Sequence, residues 1–393
     1  PGPIFKDLHI FKLRVTFSEP PSNLSFPKSF ATLPVLPDLV DTGVNLTDAV
    51  FDTEIDNHIH RAVAAGVSQM IVLCVDYESS KKAVKLAQTY ENTVFAMVGV
   101  HPSQASQFPP TPENIALFKD LVKQRGVIGV GEIGLDHSYC EGGSRYRAPK
   151  DKKTANDDKT KASPSKKKKQ TRVEKNQTAP TRDHQAAWFR ALLSLASESE
   201  LPVLLHERES HDEFVELLKP LRSSLKKGVV VNCFTGGPKE FKAYTKDLNM
   251  SVCVTGIVAN DDRSVELRAA LKDANSLDNV VIGTDAPYLT PFASLGRPFP
   301  KFNVPQTLPH VAAYVAALYK GTSLPAVEKK DELAENEHLK DIEKLFANGD
   351  KNGIAESVSK VTKNIRTAFA LPTPLRSHTP REQGAASVAF QSN

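Results

Sequence analysis

Short apolar runs alternate with longer amphipathic segments from about residue 39 to residue 319. Eight of the runs are apolar throughout instead of alternating with polar residues, as parallel strands covered by helices usually are. They are 35–40, 70–75, 94–100, 127–132, 202–206, 229–233, 251–255 and 280–284. Segments with helical spacing follow them at 47–65, 78–90, 114–124, 185–199, 211–218, 238–248, 264–274 and 304–319. The pattern predicts an α/β fold of eight strand–helix units.

The number of units favours a (β/α)₈ TIM-type barrel over a doubly wound sheet. Eight parallel strands close such a barrel, and the chain has no glycine-rich fingerprint for dinucleotide binding. The two halves of the barrel are expected at 38–139 and 183–321. A further amphipathic helix within 353–371 is expected to close the domain.

Four segments do not follow this repeat. Residues 1–37 are predicted to form an irregular leader, and residues 322–352 a charged excursion from the barrel. The Lys-rich insert at 140–182, which follows the fourth strand, is expected to be disordered because it has too few apolar residues to form a core. The tail at 372–393 is expected to be disordered for the same reason.

The insert also accounts for the basic balance of the chain. The 393 residues have a formal net charge of +4. Thirteen basic and four acidic residues between Arg147 and Arg182 give this segment a charge of +9, which leaves −5 for the remainder. We interpret the lysine run at 166–169 as a solvated linker; a nuclear-import signal and a non-specific nucleic-acid tether are the alternatives.

The sequence indicates a protein that has no membrane partner. No apolar run approaches the roughly eighteen residues of a membrane span. The four cysteines are scattered and three lie in apolar runs, which is typical of buried free thiols in a reducing compartment. Cytoplasmic or nuclear localisation is therefore expected. No pattern in the chain indicates its oligomeric state.

Candidate chemistry collects where the apolar runs end. A polar residue ends six of the eight runs: Asp41, His101, Glu132, His206, Asn232 and Asp285. A single residue of this kind would be explained by a salt bridge or a structural hydrogen bond. Six are hard to obtain from packing alone, because the carboxyl ends of barrel strands meet at one rim. Carboxylates, an amide and imidazoles on one rim predict a divalent-metal site, and its oxygen-rich composition suits magnesium or manganese.

Six motifs at these strand ends resemble those of the TatD family of metal-dependent deoxyribonucleases, which belongs to the amidohydrolase-type metallohydrolase barrels. They are DTGVNLTD (41–48), VGVHPSQA (98–105), GVGEIGLD (129–136), LPVLLHER (201–208), NCFTG (232–236) and TDAPYLTP (284–291). The resemblance covers roughly residues 38–321 and the helix at 362–369, without the insert. GEIGLD and TDAPYL, in this order and at strand ends, are the specific signals.

The resemblance implies a metal-ligand set of four residues. Glu132 matches the carboxylate that bridges the metal ions, and His206 matches the imidazole ligand. Asp285 matches the ligand that also handles the proton of the attacking water, so Glu132 and Asp285 are the expected catalytic residues. Asn232 completes the set at a position where the family has histidine.

Four further residues are assigned to substrate binding by the same resemblance. His101 and Arg208 match positions near the substrate phosphate. Asp41 and Asn45 belong to the first-strand motif, which holds two metal-binding histidines in many relatives. The form with glycine at 43 and asparagine at 45 also occurs within the TatD branch.

Three positions depart from the family pattern. Besides Asn232, Gly283 stands where glutamate is usual, and Val304 replaces the glutamate of an Asn-Glu-Pro sequence. An amide oxygen is an acceptable ligand for a hard cation but a poor one for zinc. The expected cofactor is therefore Mg²⁺, with Mn²⁺ or Zn²⁺ as alternatives.

The resemblance implies a Mg²⁺-dependent phosphodiesterase that acts on DNA, as a 3′–5′ exonuclease on single strands. Two alternatives stay open at this point. The same barrel and metals could hydrolyse another ester or amide, such as an aminoacyl-tRNA, because fold does not choose the substrate. A catalytically degenerate barrel with a binding role is the second, and the three departures favour it.

Overall fold

The computed structural model describes residues 38–145, 180–260, 263–274, 276–291, 302–321 and 353–374. Within these residues, eight parallel strands form one sheet in which each strand pairs with the next in the sequence. The strands are β1 (Leu39–Val44), β2 (Val67–Val72), β3 (Val94–Val98), β4 (Val127–Asp136), β5 (Val203–Arg208), β6 (Val229–Val231), β7 (Ser251–Val254) and β8 (Val280–Ile282). The prediction of a (β/α)₈ barrel is confirmed.

The ring closes where the segment after β8 meets the end of β1. The backbone N–H of Asp285 donates to the carbonyl of Gly43 at 2.8 Å, and the N–H of Asn45 donates to the carbonyl of Ala286 at 2.8 Å. The strands are buried on both faces, as their uniformly apolar sequences require. Closure at this point brings the first and the last strand-end motifs of the chain together.

Helices cover the outside of the barrel. They are α1 (Ile55–Ala64), α2 (Tyr77–Thr89), α3 (Pro112–Leu121), α4 (Arg182–Glu198), α5 (His211–Arg222), α6 (Pro238–Lys242), α7 (Val265–Asp273), α8 (Leu308–Tyr319) and α9 (Ile354–Phe369). Local sequence sets where several begin. The Asp76 carboxylate accepts from the Ser79 amide at 2.8 Å to cap α2, and Thr111 caps α3 ahead of a proline in the first turn.

The predicted helix at 47–65 is divided into two. The Asp48 side chain accepts from the amide of Val50 at 3.0 Å and caps a short 3₁₀ turn, Ala49–Phe51. The α-helix begins only at Ile55. A side chain that bonds the backbone two residues ahead competes with helix formation, so the helix starts later than the apolar spacing indicates.

Parts of the predicted insert lie within the described residues. Residues 140–145 form a turn after β4, and α4 begins at Arg182 with Thr181 as its cap. The remainder of the insert, 146–179, lies outside the described residues, as do the predicted leader at 1–37, the excursion at 322–352 and the tail from 375. No described helix is both long and apolar enough to cross a membrane.

The closing helix α9 packs against the barrel through its apolar face, as predicted. Val358, Val361 and Ile365 are at most 1% exposed. Arg366 donates from Nη2 to the carbonyl of Asp38, at 3.0 Å, and also contacts the Gln69 side chain. The end of the described chain is thereby attached to the start of β1.

Candidate metal centre

His206 lies between two carboxylates on the neighbouring strand. Its Nδ1 is 2.8 Å from Glu132 Oε1, and its Nε2 is 3.1 Å from Asp136 Oδ2. The pairing of β4 with β5 explains this arrangement, because Gly134 is the register partner of His206. Glu132 and Asp136 lie two residues to either side of Gly134, so alternation along the strand points both carboxylates to the face that His206 occupies.

Gly134 is required at the centre of this arrangement. Its φ is +150°, and a Cβ atom there would lie 1.9 Å from the carbonyl oxygen of His206. Any side chain would push the two strands apart. The glycine that the motif places between the two acids therefore sets their contact with the histidine.

His101 completes a three-residue cluster. Its Nε2 lies 3.2 Å from His206 Nδ1, and ligand atoms of His101, Glu132 and His206 all lie within 4.8 Å of one another. The Nδ1 of His101 lies 2.8 Å from the Ser103 hydroxyl and 3.1 Å from the Ser103 amide nitrogen. As a metal ligand through Nε2, a neutral His101 would carry its proton on Nδ1 and donate it to that hydroxyl. Two imidazole nitrogens and one carboxylate oxygen directed at one point are a suitable ligand set for a divalent cation.

The hydrogen bonding of the Asn232 amide indicates whether this site fits a metal. Its Nδ2 donates to Glu132 Oε1 at 3.2 Å, while its Oδ1 is buried and has no hydrogen-bond partner. That oxygen lies 3.0 Å from the position of a Cβ on Gly43, so the absent side chain leaves space beside it. A buried acceptor without a partner costs about 1–3 kcal/mol. A hard cation beside Oδ1 would remove this cost, so the residues fit the group.

Asp285 follows β8 and adopts a left-handed backbone conformation with φ +53°. Burial, followed by the charge of Glu132, raises the pKa of its carboxyl well above the ordinary value, and Asp41 adds to the increase. The positive charge of His206 partly opposes these effects. Acidic groups held this close together are stabilised by a cation among them.

Protonation of the cluster follows from the same contacts. Burial disfavours a charged His206, but its hydrogen bonds to Asp136 and Glu132 outweigh burial and raise its pKa to about 10. Burial opposes ionisation of Asp136, yet its bond to His206 dominates and lowers its pKa to about 2. Burial and the His206 charge lower the pKa of His101 to about 4. At neutral pH the metal-free cluster therefore holds an imidazolium between two carboxylates.

The remaining predicted site residues occupy different positions. Asp41 is 0% exposed, and its carboxylate accepts from the Thr284 amide at 2.9 Å, from the Thr284 hydroxyl at 2.5 Å and from the Gly43 amide at 3.2 Å. Burial raises its pKa to about 7, although these bonds oppose the increase. In this conformation Asp41 joins β1 to the segment that carries Asp285, beneath the rim. Asn45 is 8% exposed and accepts from the Thr47 hydroxyl at 2.6 Å.

Arg208 ends β5 on the open side of the rim, opposite Asp136 in the register of the strands. It lines a cavity of about 300 Å³ whose wall includes Glu207, Glu209, Ser210, His211, Thr235 and Gly236. The Glu207 carboxylate is held there, since it accepts from the Ser210 amide at 2.9 Å and from the Tyr244 hydroxyl at 3.1 Å. The cavity begins at Glu207, the residue after His206 on β5, and its volume is enough to admit part of a ligand.

The positions that depart from the family pattern are closely packed. A Cβ on Gly283 would lie 3.1 Å from Cys253 Sγ and 3.4 Å from Asp41 Oδ1. Val304 is 7% exposed in the turn before α8. A side chain at 283 would therefore require Cys253 or the backbone at Gly43 to shift by a few tenths of an ångström.

Comparison with known proteins identifies the family. A family model described as TatD related DNase matches residues 40–339, which is most of the chain. The chain belongs to the TatD family. The 3′-5′ ssDNA/RNA exonuclease TatD of Salmonella typhimurium is 31% identical over 283 residues, which are 72% of this chain and 92% of the relative. The TatD protein of the same name from Rahnella is 32% identical over 283 residues, with 72% and 91% covered.

Solved TatD structures share the fold. The TatD homologue YJJV of Escherichia coli superposes with a TM-score of 0.60 at 20% identity, covering 85% of this chain and 99% of that one. A TatD family hydrolase from Entamoeba histolytica has the same TM-score and identity, with 86% and 99% covered. The TatD family implies a divalent metal, and the cluster of His101, Glu132 and His206 is where the structure could hold it.

Asp136, which contacts the Nε2 of His206, is a residue of the site that the sequence analysis did not single out. It lies within the motif GVGEIGLD, four residues after Glu132. Because side chains in a strand alternate between faces, residues 132 and 136 had to share one face if the strand continued. The strand was expected to end at Glu132, and its extension to Asp136 is what brings the second acid to His206.

Proposed function

We propose that this TatD protein is a Mg²⁺-dependent deoxyribonuclease that removes nucleotides from the 3′ end of single-stranded DNA. The observation that carries the proposal is the convergence of His101, Glu132 and His206 beside the unpartnered Asn232 oxygen. The TatD relatives, which are named as 3′-5′ ssDNA/RNA exonucleases, support the reaction and the substrate class. The four free cysteines support a reducing compartment, cytoplasmic or nuclear.

Glu132, His206, Asn232 and Asp285 would hold the metal, and the geometry adds His101 to them. A bound divalent cation would lower the pKa of the attacking water and offset charge on the scissile phosphate. Oxygen ligands from Glu132, Asn232 and Asp285 favour Mg²⁺. The imidazole ligands from His101 and His206 also suit Mn²⁺ and Zn²⁺, which stay as alternatives.

The side chains of the protein supply the remaining parts of the reaction. We assign Asp285 to accept the proton of the water, because it matches the TatD position with this role and follows β8 at the rim. Arg208, beside the open cavity, is assigned to the substrate phosphate, since a guanidinium matches phosphate oxygens with paired donors. Asp41 would keep the segment at Thr284 and Asp285 in place, and Asn45 lies next to it on the rim.

Digestion of an end-labelled single-stranded oligonucleotide tests the proposal. Full-length protein is incubated with Mg²⁺, Mn²⁺ or Zn²⁺, and with EDTA as the control. We expect stepwise shortening from the 3′ end with Mg²⁺, and none with EDTA. Inertness with all three metals would contradict the proposal and favour the degenerate barrel, for which the packed position of Gly283 is the specific observation.

Metal binding is expected to release at least one proton at pH 7 to 8. The metal-free protein carries a proton on His206 up to a pKa of about 10, and a ligand imidazole must lose it. The apparent affinity should therefore rise with pH, by up to about tenfold per unit below that pKa. Calorimetric titration with Mn²⁺ in buffers of different ionisation enthalpy measures the release.

The variant His206→Gln gives the matched comparison, because it has no titratable ring at this position. It should bind Mn²⁺ more weakly and without the proton that His206 contributes. A wild-type affinity that does not change between pH 6 and pH 8 would show that His206 is not a ligand.

A further inference from the structure

Tyr288 exposes an aromatic ring at the edge of the metal centre. It leaves 55% of its surface open to solvent, although it is three residues from Asp285. Its backbone N–H donates to the Asp285 carbonyl at 2.8 Å, which joins the two residues in one turn. A tyrosine side chain normally buries much of its ring area, so an exposed ring beside a site is a candidate contact for a ligand.

The orientation of this ring is fixed at its hydroxyl. Tyr288 Oη donates to Asp48 Oδ2 at 3.2 Å, across from β8 to the turn after β1. Among the described residues, no aromatic ring stacks on Tyr288 and no cation lies over it. The hydroxyl contact limits rotation of the side chain and leaves its face available. A ring held in this way loses little conformational entropy when a planar group stacks on it.

A second aromatic group lies on the neighbouring side of the rim. Tyr139 follows Asp136 by three residues, and the Arg145 guanidinium lies over its ring, 5.5 Å from the centroid.

Burial and the Asp48 carboxylate raise the pKa of Tyr288 to about 12, and the charges of Asp285 and Tyr139 add to the increase. The phenol is therefore neutral at physiological pH and does not repel a phosphate. Arg145 brings a positive charge to the same side.

We propose that Tyr288 stacks on a nucleobase of the strand whose phosphate enters the metal centre. The inference rests on the proposed function and adds a base-binding subsite to it. Every nucleobase has a π-face, so stacking accepts all four bases. The Arg145 guanidinium, which lies over the Tyr139 ring, supplies a positive charge that attracts the backbone. Of the possible planar ligands, a nucleobase is favoured because the ring borders a site that fits a divalent cation and a phosphate.

The test combines two variants with two substrates. Tyr288→Ala should lower kcat/KM on an ordinary oligonucleotide by about 5- to 150-fold, the range that one base–aromatic stack supplies, mainly through KM. Tyr288→Phe keeps the ring face and loses the bond to Asp48, and it should recover most of that loss. The second type of substrate is a set of three oligonucleotides. Each has one abasic residue, at the first, second or third position from the 3′ end.

At the position that stacks, the abasic substrate should be cleaved equally well by wild type and Tyr288→Ala. An equal loss on ordinary and on all abasic substrates would overturn the proposal and leave Tyr288 a structural role. So would a Tyr288→Phe variant as impaired as Tyr288→Ala. If wild type cleaves no oligonucleotide with any metal, the proposed function fails, and stacking is then measured as quenching of 2-aminopurine in bound single strands. Quenching that persists in Tyr288→Ala would overturn the stacking inference separately.

Discussion

Replacing Glu132 by glutamine is expected to lower nuclease activity about a thousandfold or more. The change preserves the size of the side chain and removes the charge that contacts His206 and Asn232. A divalent metal supplies several kcal/mol of stabilisation to the transition state, and about 4 kcal/mol corresponds to a thousandfold in rate. Activity on a labelled oligonucleotide and metal content by mass spectrometry are the two measurements.

Glu198→Gln is the matched control, because Glu198 is an exposed acid in the last turn of α4 that pairs with Lys119 and lines neither the cluster nor the cavity. This control should stay close to wild type in both measurements. Wild-type metal content together with wild-type activity in Glu132→Gln would remove Glu132 from the site. A single cooperative thermal transition in the variant would show that any loss is not caused by unfolding.

Asp285→Asn should lower kcat by about 10²- to 10⁴-fold, the usual contribution of a general acid–base group. The amide keeps a ligand oxygen but cannot accept the proton of the water. Its backbone contacts, from the N–H of Asp285 to Gly43 and from Tyr288 to its carbonyl, do not involve the side chain. We therefore expect the fold to be retained and metal affinity to fall much less than kcat.

The pH dependence distinguishes this role from a purely structural one. In wild type, the rate should rise with pH as Asp285 loses its proton, because only the ionised carboxylate can accept a proton from water. Asp285→Asn should lack this rise. Asp278→Asn, a surface acid bonded to Ser276, is the control and should keep the wild-type profile. A rise that persists unchanged in Asp285→Asn would assign the titration to another group.

The architecture could be predicted because each strand is apolar on both faces and each helix has its own amphipathic spacing. The polar residues at the rim could be predicted from the same pattern. Burying a polar side chain after an apolar run costs free energy of folding, so its presence there indicates a function. Glu132 contacts both His206 and Asn232. The assignment of these three residues and Asp285 as metal ligands stays a prediction.

What could not be predicted depends on strand length and on contacts between strands. Apolar runs locate strand bounds only to within a few residues. The runs 35–40 and 70–75 correspond to Leu39–Val44 and Val67–Val72, and β4 was expected to end at Glu132, so Asp136 was missed. β1 continues to Val44 and places Asp41 beneath the rim, bonded to a residue 243 positions away. His101 was assigned to the phosphate because only the fold shows that its ring reaches His206.

The attachment of α9 to the start of β1 has a consequence for biosynthesis. Gln69 on β2 donates to the carbonyl of Pro372 at 3.0 Å, and Arg366 reaches Asp38, so residues about 300 positions apart meet at the base of the barrel. The growing polypeptide on a ribosome cannot make these contacts until the residues up to Pro372 have emerged. Contacts of such high sequence separation slow folding, because a long loop must be closed before they stabilise it. The nascent barrel is therefore expected to depend on chaperones, which shield its exposed apolar strands until α9 arrives.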